Sequence, residues 1–156
     1  MELPTVLGID PGTRSSGVVV IDPGSCRVLE AYKAMDNDDV LSRIYQGGWH
    51  VVACEWIEHY GANIHAGADV FHTCRWIGRF EEAAHGSLVT ITRRQVKLHL
   101  CGNMRAKDPH VRKSIVDRFG GEQAAKGNKK NPGPLFGVSS HAWSALAVAL
   151  TYLDQR

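Results

Sequence analysis

The chain has no C-x-x-C pair, no apolar stretch long enough to cross a bilayer, and no basic segment followed by an apolar run near its start. Each absence removes a class of protein. Cys26, Cys54, Cys74 and Cys101 are widely separated, so the ligand spacing of a structural zinc site is missing. Four free thiols in a reducing compartment are expected. The longest apolar runs, residues 18–21 and 145–150, are far shorter than the roughly 20 residues of a membrane-spanning helix. With no secretory pattern visible, a cytoplasmic protein is expected. Internal repeats are absent too. What remains is 156 residues, 44% hydrophobic and 22% charged, which fits a single globular domain over residues 1–156.

A net charge of +2 conceals a division. Residues 1–92 hold six Lys/Arg against twelve Asp/Glu, whereas residues 93–130 hold eleven against three. A basic segment following an acidic half favours a polyanion partner, nucleic acid above all, over a merely solvated face.

Hydrophobic patterning predicts an order of elements. An apolar run (Val6, Leu7, Ile9) ends at Asp10, the turn Pro11-Gly12-Thr13 follows, and a second run ends at Asp22. This reads as a hairpin, and residues 26–34 add a third strand after Pro23-Gly24. A short helix is expected over 39–45 behind the acidic cluster 36–39. Residues 50–55 form a further strand ending at Glu55, followed by a loop to residue 68. The 3.6-residue pattern then predicts a helix over 68–84, with Val70, Phe71, Cys74, Ile77, Gly78 and Phe80 on its apolar face. Gly78 costs that helix about 1 kcal/mol relative to Ala, so a close approach, such as a dimer contact, would explain it. A β-branched strand (87–92), a basic helix (93–100) and a helix over 107–119, with Asp108 as N-cap and Pro109 in its first position, come next. Residues 122–134 read as a mobile basic loop. An apolar helix over 140–153, capped by Ser139 or Ser140, closes the pattern.

Two acids stand out, because a carboxylate at the end of a buried strand is costly unless paired or bound to metal. Asp10 ends the first strand and Glu55 the fourth, and sites collect at such strand ends in open α/β sheets. Taken alone, Asp10 is as readily a turn former before Pro-Gly. His141 alone reads more readily as a packed residue at a helix start. Their joint placement favours function for all three.

The stretch GIDPGTRSSGVVVID resembles the first motif of RuvC-type Holliday-junction resolvases, as do ACEW around Glu55, RRQVK around Lys97 and HAWSALAVAL near the end. The likeness spans nearly the whole chain and is nearest to the RuvC-like nucleases carried by bacteriophages. It implies a ribonuclease H-like α/β fold, a five-stranded mixed sheet flanked by helices. It also implies a homodimeric, metal-dependent endonuclease for branched DNA, four-way junctions in particular. Asp10, Glu55, His141 and Ser144 fall on the positions of the family's metal ligands, two Mg²⁺ or Mn²⁺ ions per site being expected. Ser144 departs from the pattern, since the family carries Asp there and a neutral hydroxyl is a weak Mg²⁺ ligand. Lys97 and Lys107 align with basic positions flanking the catalytic centre. DNA contacts are expected from Arg14, Arg94, Lys97, Arg105, Lys107, Lys126, Lys129 and Lys130. Trp56 and Tyr60 are candidates for stacking on unpaired bases, or else a core Trp and a surface Tyr.

GIDPGT is also similar to the phosphate loop of actin-like ATPases and sugar kinases. Those need a second lobe for which 156 residues leave no room, so no nucleotide cofactor is expected. Two further readings stay open: a catalytically weak module that binds branched DNA, and a nuclease acting mainly on flaps or replication forks.

Overall fold

The computed structural model describes residues 4–58 and 67–156. Its strands are β1 (Thr5–Asp10), β2 (Ser15–Ile21), β3 (Val28–Asp36), β4 (Trp49–Trp56) and β5 (Leu88–Thr92). They form one sheet in the order β3-β2-β1-β4-β5. The meander β1-β2-β3 is antiparallel, while β4 pairs with β1, and β5 with β4, in parallel. The expected five-stranded mixed sheet is therefore present.

Helices cover both faces, which is why the central strands read as near-continuous apolar runs. Period-two alternation sorts their side chains. Leu7, Ile9, Val18, Val20, Val52 and Cys54 face α1 (Asn37–Gln46) and α2 (Ala68–Ala83). Val6, Val19, Ile21, Val51 and Ala53 face the opposite layer, built from α3 (Arg93–Cys101), α4 (Asp108–Arg118) and α6 (His141–Gln155). No helix among the described residues is long and apolar enough to cross a membrane, and all four cysteines are free.

Buried along most of its length, α6 lies unusually close to the sheet. A Cβ on Gly8 would stand 2.6 Å from the Ala145 carbonyl oxygen and 3.0 Å from the Ala149 Cβ. A Cβ on Gly17 would stand 2.4 Å from the His141 carbonyl oxygen. Glycine in the strands and alanine in the helix together set this contact distance.

Several local expectations change. Asp36, at the end of β3, caps α1 by accepting from the Asp38 N–H at 2.9 Å. α3 closes with a Thr92/Gln95 capping box at its start and Gly102 in the left-handed region at its end. The N-cap of α4 is Lys107, not Asp108, so Pro109 sits in the second helical position, where a missing N–H is equally harmless. Ser140 is the N-cap of α6, as expected, but its side chain makes no capping hydrogen bond. The carbonyl oxygens of Ser139 and Ser140 accept from the Ala142 and Trp143 N–H groups, and Ser140 takes φ +49°. Segment 122–134 is not a loose loop. It contains α5 (Glu122–Lys126), buries Ala125 and closes through a Gly127–Pro132 bridge ahead of the fully buried Leu135. On α2, Ile77 and Phe80 are buried as expected, but Phe71 is 71% exposed and nothing lies within 4 Å of a Cβ on Gly78. No contact within the described chain accounts for that glycine.

Candidate active site

Register brings the two acids together. Ile9 of β1 pairs with Cys54 of β4, and the strands are parallel, so Asp10 and Glu55 leave the sheet side by side at the same edge. Alternation turns both toward α6, opposite to Ile9 and Cys54. Their side chains are only 16% and 13% exposed, and they lie close enough for each to influence the other's ionisation. Asp10 beside it disfavours ionisation of the Glu55 carboxyl. Burial, and then the neighbouring Asp10, push the Glu55 carboxyl up to about 7. Burial also raises Asp10, against the opposing pull of Glu55 and Arg93.

His141 is the first residue of α6, and its Nδ1 lies 3.1 Å from Asp10 Oδ2. It reaches that position because Gly17, the β2 partner of Asp10, leaves room for its backbone. The turn after Asp10 is clamped from beneath. Buried Asn37 donates from Nδ2 to the Gly12 carbonyl at 3.0 Å, and its N–H bonds the Arg14 carbonyl at 2.9 Å. The Ser16 hydroxyl donates to Asn37 Oδ1 at 2.6 Å and accepts from the Gly12 N–H at 3.3 Å. The acidic run 36–39 thus hides a buried amide that supports the backbone around the site. Nothing in residue type alone marks Asn37 out from its neighbours.

A cleft of about 480 Å³ opens beside Glu55, with His141, Ser144 and Lys97 on its walls. Its floor is apolar and includes Val96, Val111 and Val148. On the far side of the Asp10–His141 pair, a second depression of about 420 Å³ is lined by Arg14 and Lys33. Of the predicted basic residues, Lys97 and Arg14 therefore border the carboxylates. Lys126 sits nearby, its ammonium 5.8 Å from the ring of Trp143, a cleft residue. Lys107 and Arg105 are exposed and line neither depression. Arg94 contacts the Met104 sulfur and shares a shallow depression with Arg93 and Lys97. Lys129 and Lys130 are exposed on a turn held by Asn128, whose side chain accepts from the Lys130 and Asn131 N–H groups. Trp56, 40% exposed, follows Glu55 and so points to the opposite face of the sheet. Tyr60 lies outside the described residues.

Arg93, Arg112 and Trp143, unmarked by residue type or pattern, also line the cleft, together with Asp108, expected only as a helix cap. Arg93 bridges the cleft mouth, with Nη1 3.6 Å from Glu55 Oε1 and Nη2 paired to Asp108. Its signal is positional: α3 begins where the parallel strand β5 ends, so the first side chain of α3 projects at the same edge as Glu55.

Could these residues hold a metal? Among the described residues, no three His, Cys, Asp or Glu side chains already surround a common point. Yet Mg²⁺ binds through one or two carboxylates and keeps several waters, so a preformed cage is not required. Two carboxyls at adjacent strand ends, with an imidazole against one of them, suit a divalent ion. Ser144 supplies no charge on the far side.

A pH dependence follows. A carboxyl whose pKa is higher in the folded than in the unfolded chain binds its proton more tightly when folded. Its stabilising contribution is full below about 4.5 and is lost as pH rises through about 7. In EDTA, the melting temperature is expected to fall between pH 5 and 7.5, by an amount on the order of 1–3 kcal/mol of stability. Glu55→Gln should flatten that fall, and Mn²⁺ at pH 7.5 should restore the wild type more than the variant. Parallel melting profiles for the two proteins would contradict it.

The fold is ribonuclease H-like in its RuvC form, with paired acids at the ends of the central parallel strands. The chain superposes on the structure of Thermus thermophilus RuvC with a TM-score of 0.62 at 23% identity, covering 97% of this chain and 95% of that one. It also superposes on T. thermophilus RuvC in complex with Holliday junction substrate, with a TM-score of 0.64 at 22% identity, covering 95% and 92%. No protein-family model and no curated protein matches the sequence.

Proposed function

We propose that the chain is a divalent-metal-dependent endonuclease that cuts branched DNA, four-way junctions in particular, as a homodimer. The observation that carries this reading is the side-by-side placement of Asp10 and Glu55 at adjacent strand ends, with His141 against Asp10. The T. thermophilus RuvC structure with a Holliday junction supports the choice of substrate.

Asp10, Glu55 and His141 are the residues that would hold the metal. An ion bound there acts as a Lewis acid on a phosphate oxygen and favours attack by water. Asp10 and Glu55 would bind it as carboxylates, so a proton held by the raised Glu55 carboxyl must leave first. His141 Nδ1 lies 3.1 Å from Asp10 Oδ2, so its imidazole stands beside the carboxylate that would hold the metal. Lys97, on the cleft wall, neutralises charge that builds on the phosphate. A four-way junction has two-fold symmetry, so two protomers would deliver paired cuts.

Side-by-side incubation of a four-way junction, a flap and linear duplex with Mn²⁺ tests the reading. Paired nicks in the junction are expected. Tight junction binding with no cleavage under any metal would favour the DNA-binding module instead, the reading to which Ser144 and the Arg93–Glu55 contact lend weight. A monomer at micromolar concentration would count against the resolvase in particular.

The two lysines should separate. Lys97→Ala is expected to slow cleavage by roughly 10-fold or more, as loss of a cation near developing charge does. Lys107→Ala, outside the cleft, should matter less and act through affinity. Equal losses in the two variants would show that cleft position is not what counts. Position 144 should set metal preference. The wild type is expected to cut faster with Mn²⁺ than with Mg²⁺, because imidazole suits Mn²⁺ and a hydroxyl does little for Mg²⁺. Ser144→Asp should narrow that gap, on the order of tenfold. Equal Mn²⁺ and Mg²⁺ rates that the substitution leaves alone would remove the argument.

A further inference from the structure

Trp143 stands between His141 and Ser144 in sequence and on the wall of the same cleft. Two cations lie against its indole, with Arg112 Cζ 5.0 Å and Lys126 Nζ 5.8 Å from the ring centroid. These contacts hold two long side chains of α4 and α5 in place beside the cleft. Both cations also share one acid. Glu122 Oε1 is 3.0 Å from Arg112 Nη2, and its Oε2 is 3.7 Å from Lys126 Nζ. An anionic group thus sits with one oxygen on a guanidinium and another on an ammonium. Phosphate oxygens are recognised by the same pairing. Glu122 is more than half exposed, at 57%, so it can be displaced without opening the core.

We propose that Arg112 and Lys126, held against Trp143, form a phosphate-binding station for the DNA strand entering the cleft, and that Glu122 occupies it as an internal competitor when DNA is absent. This rests on the reading of the chain as a branched-DNA nuclease. Glu122 keeps the cations paired in the free protein and must be released for a backbone phosphate to enter. It therefore weakens non-productive binding and couples firm binding to a strand that reaches the cleft.

Asp117 provides the control. It is an equally exposed acid, at 56%, and it pairs with Lys113 rather than with the station. Removing either acid changes the net charge by the same amount, so general electrostatics predicts equal gains in DNA affinity. The station predicts unequal ones.

The experiment measures binding of a fluorescent four-way junction in EDTA over a range of salt. Glu122→Gln is expected to tighten binding at least about threefold more than Asp117→Asn. Arg112→Ala is expected to weaken binding and to reduce the salt slope by about 1, as loss of one phosphate contact does. In the Arg112→Ala/Lys126→Ala background, the gain from Glu122→Gln should shrink to that of Asp117→Asn. Equal gains in the wild-type background, or a gain that survives loss of both cations, would overturn the station while leaving the nuclease reading in place. A wild type that binds no branched DNA would overturn both.

Discussion

Asp10→Asn and Glu55→Gln are each expected to leave a folded protein that binds a four-way junction but cuts it roughly 10³-fold more slowly, since a metal contact to a reacting phosphate supplies several kcal/mol. Folding should survive because both positions already bear the cost of burying charge. Glu55 is pushed up to about 7 by burial and by Asp10, so a neutral amide of the same shape removes an unfavourable term. Asp10→Asn also relieves the Glu55 carboxyl, although it changes the contact made by His141 Nδ1. The two variants should therefore match or exceed the wild type in thermal stability in EDTA while losing activity. That opposition separates a catalytic carboxyl from a structural one. Cleavage within tenfold of wild type in both variants, with metal present, would end the two-acid reading and with it the nuclease proposal.

The parts of this fold that depend on short-range pattern were legible in the sequence. Val6, Leu7 and Ile9 ahead of Asp10, and the run ahead of Glu55, mark strands buried on two faces that end in acids, because alternation and apolar runs are local signals. Turn and cap details were less so. The N-cap of α4 falls on Lys107, because cap geometry follows the path of the entering chain as well as residue preference. Segment 122–134 reads as loose by composition, yet Leu135 buries fully and anchors it. One apolar residue fixed in the core outweighs a run of Gly, Lys and Pro around it, since burying such a side chain is worth about 1.5–3 kcal/mol. At the site, the acids were visible as isolated oddities. Arg93, Arg112 and Trp143 look like ordinary helix residues until three separate elements converge on one cleft. Asn37 is hidden for the same reason, its three partners lying 21 or more positions away or across a turn that only the fold closes. The glycines are the subtlest case. Gly8 and Gly17 read as weak points in their strands, and only the approach of α6 reveals what they permit.

Gly17→Ala should therefore injure the site although it adds only a single uncharged methyl group. Its new Cβ would meet the His141 carbonyl oxygen at 2.4 Å and the His141 Cβ at 2.8 Å. The first of these is helix backbone, which cannot swing aside as a side-chain tip would. The first turn of α6 must lift away from β2 or β2 must bend, at a cost of about 1–3 kcal/mol for overpacking. Gly17 pairs directly with Asp10, so either adjustment alters the Asp10–His141 contact first. Displacing a catalytic group by about 1 Å can cost 10²-fold in rate, and a loss of that order is expected here. Gly78→Ala supplies the comparison within the same chain, since nothing lies within 4 Å of its new Cβ. Relief of the helix-propensity penalty should make that protein slightly more stable, by up to about 1 kcal/mol. If α2 instead forms the dimer contact at Gly78, the same substitution should lower dimer affinity without lowering the stability of the protomer. Melting temperature, junction cleavage and oligomeric state measured on both variants distinguish these outcomes. A Gly17→Ala protein with wild-type rate and stability would show that the close seat of α6 on the sheet does not position His141.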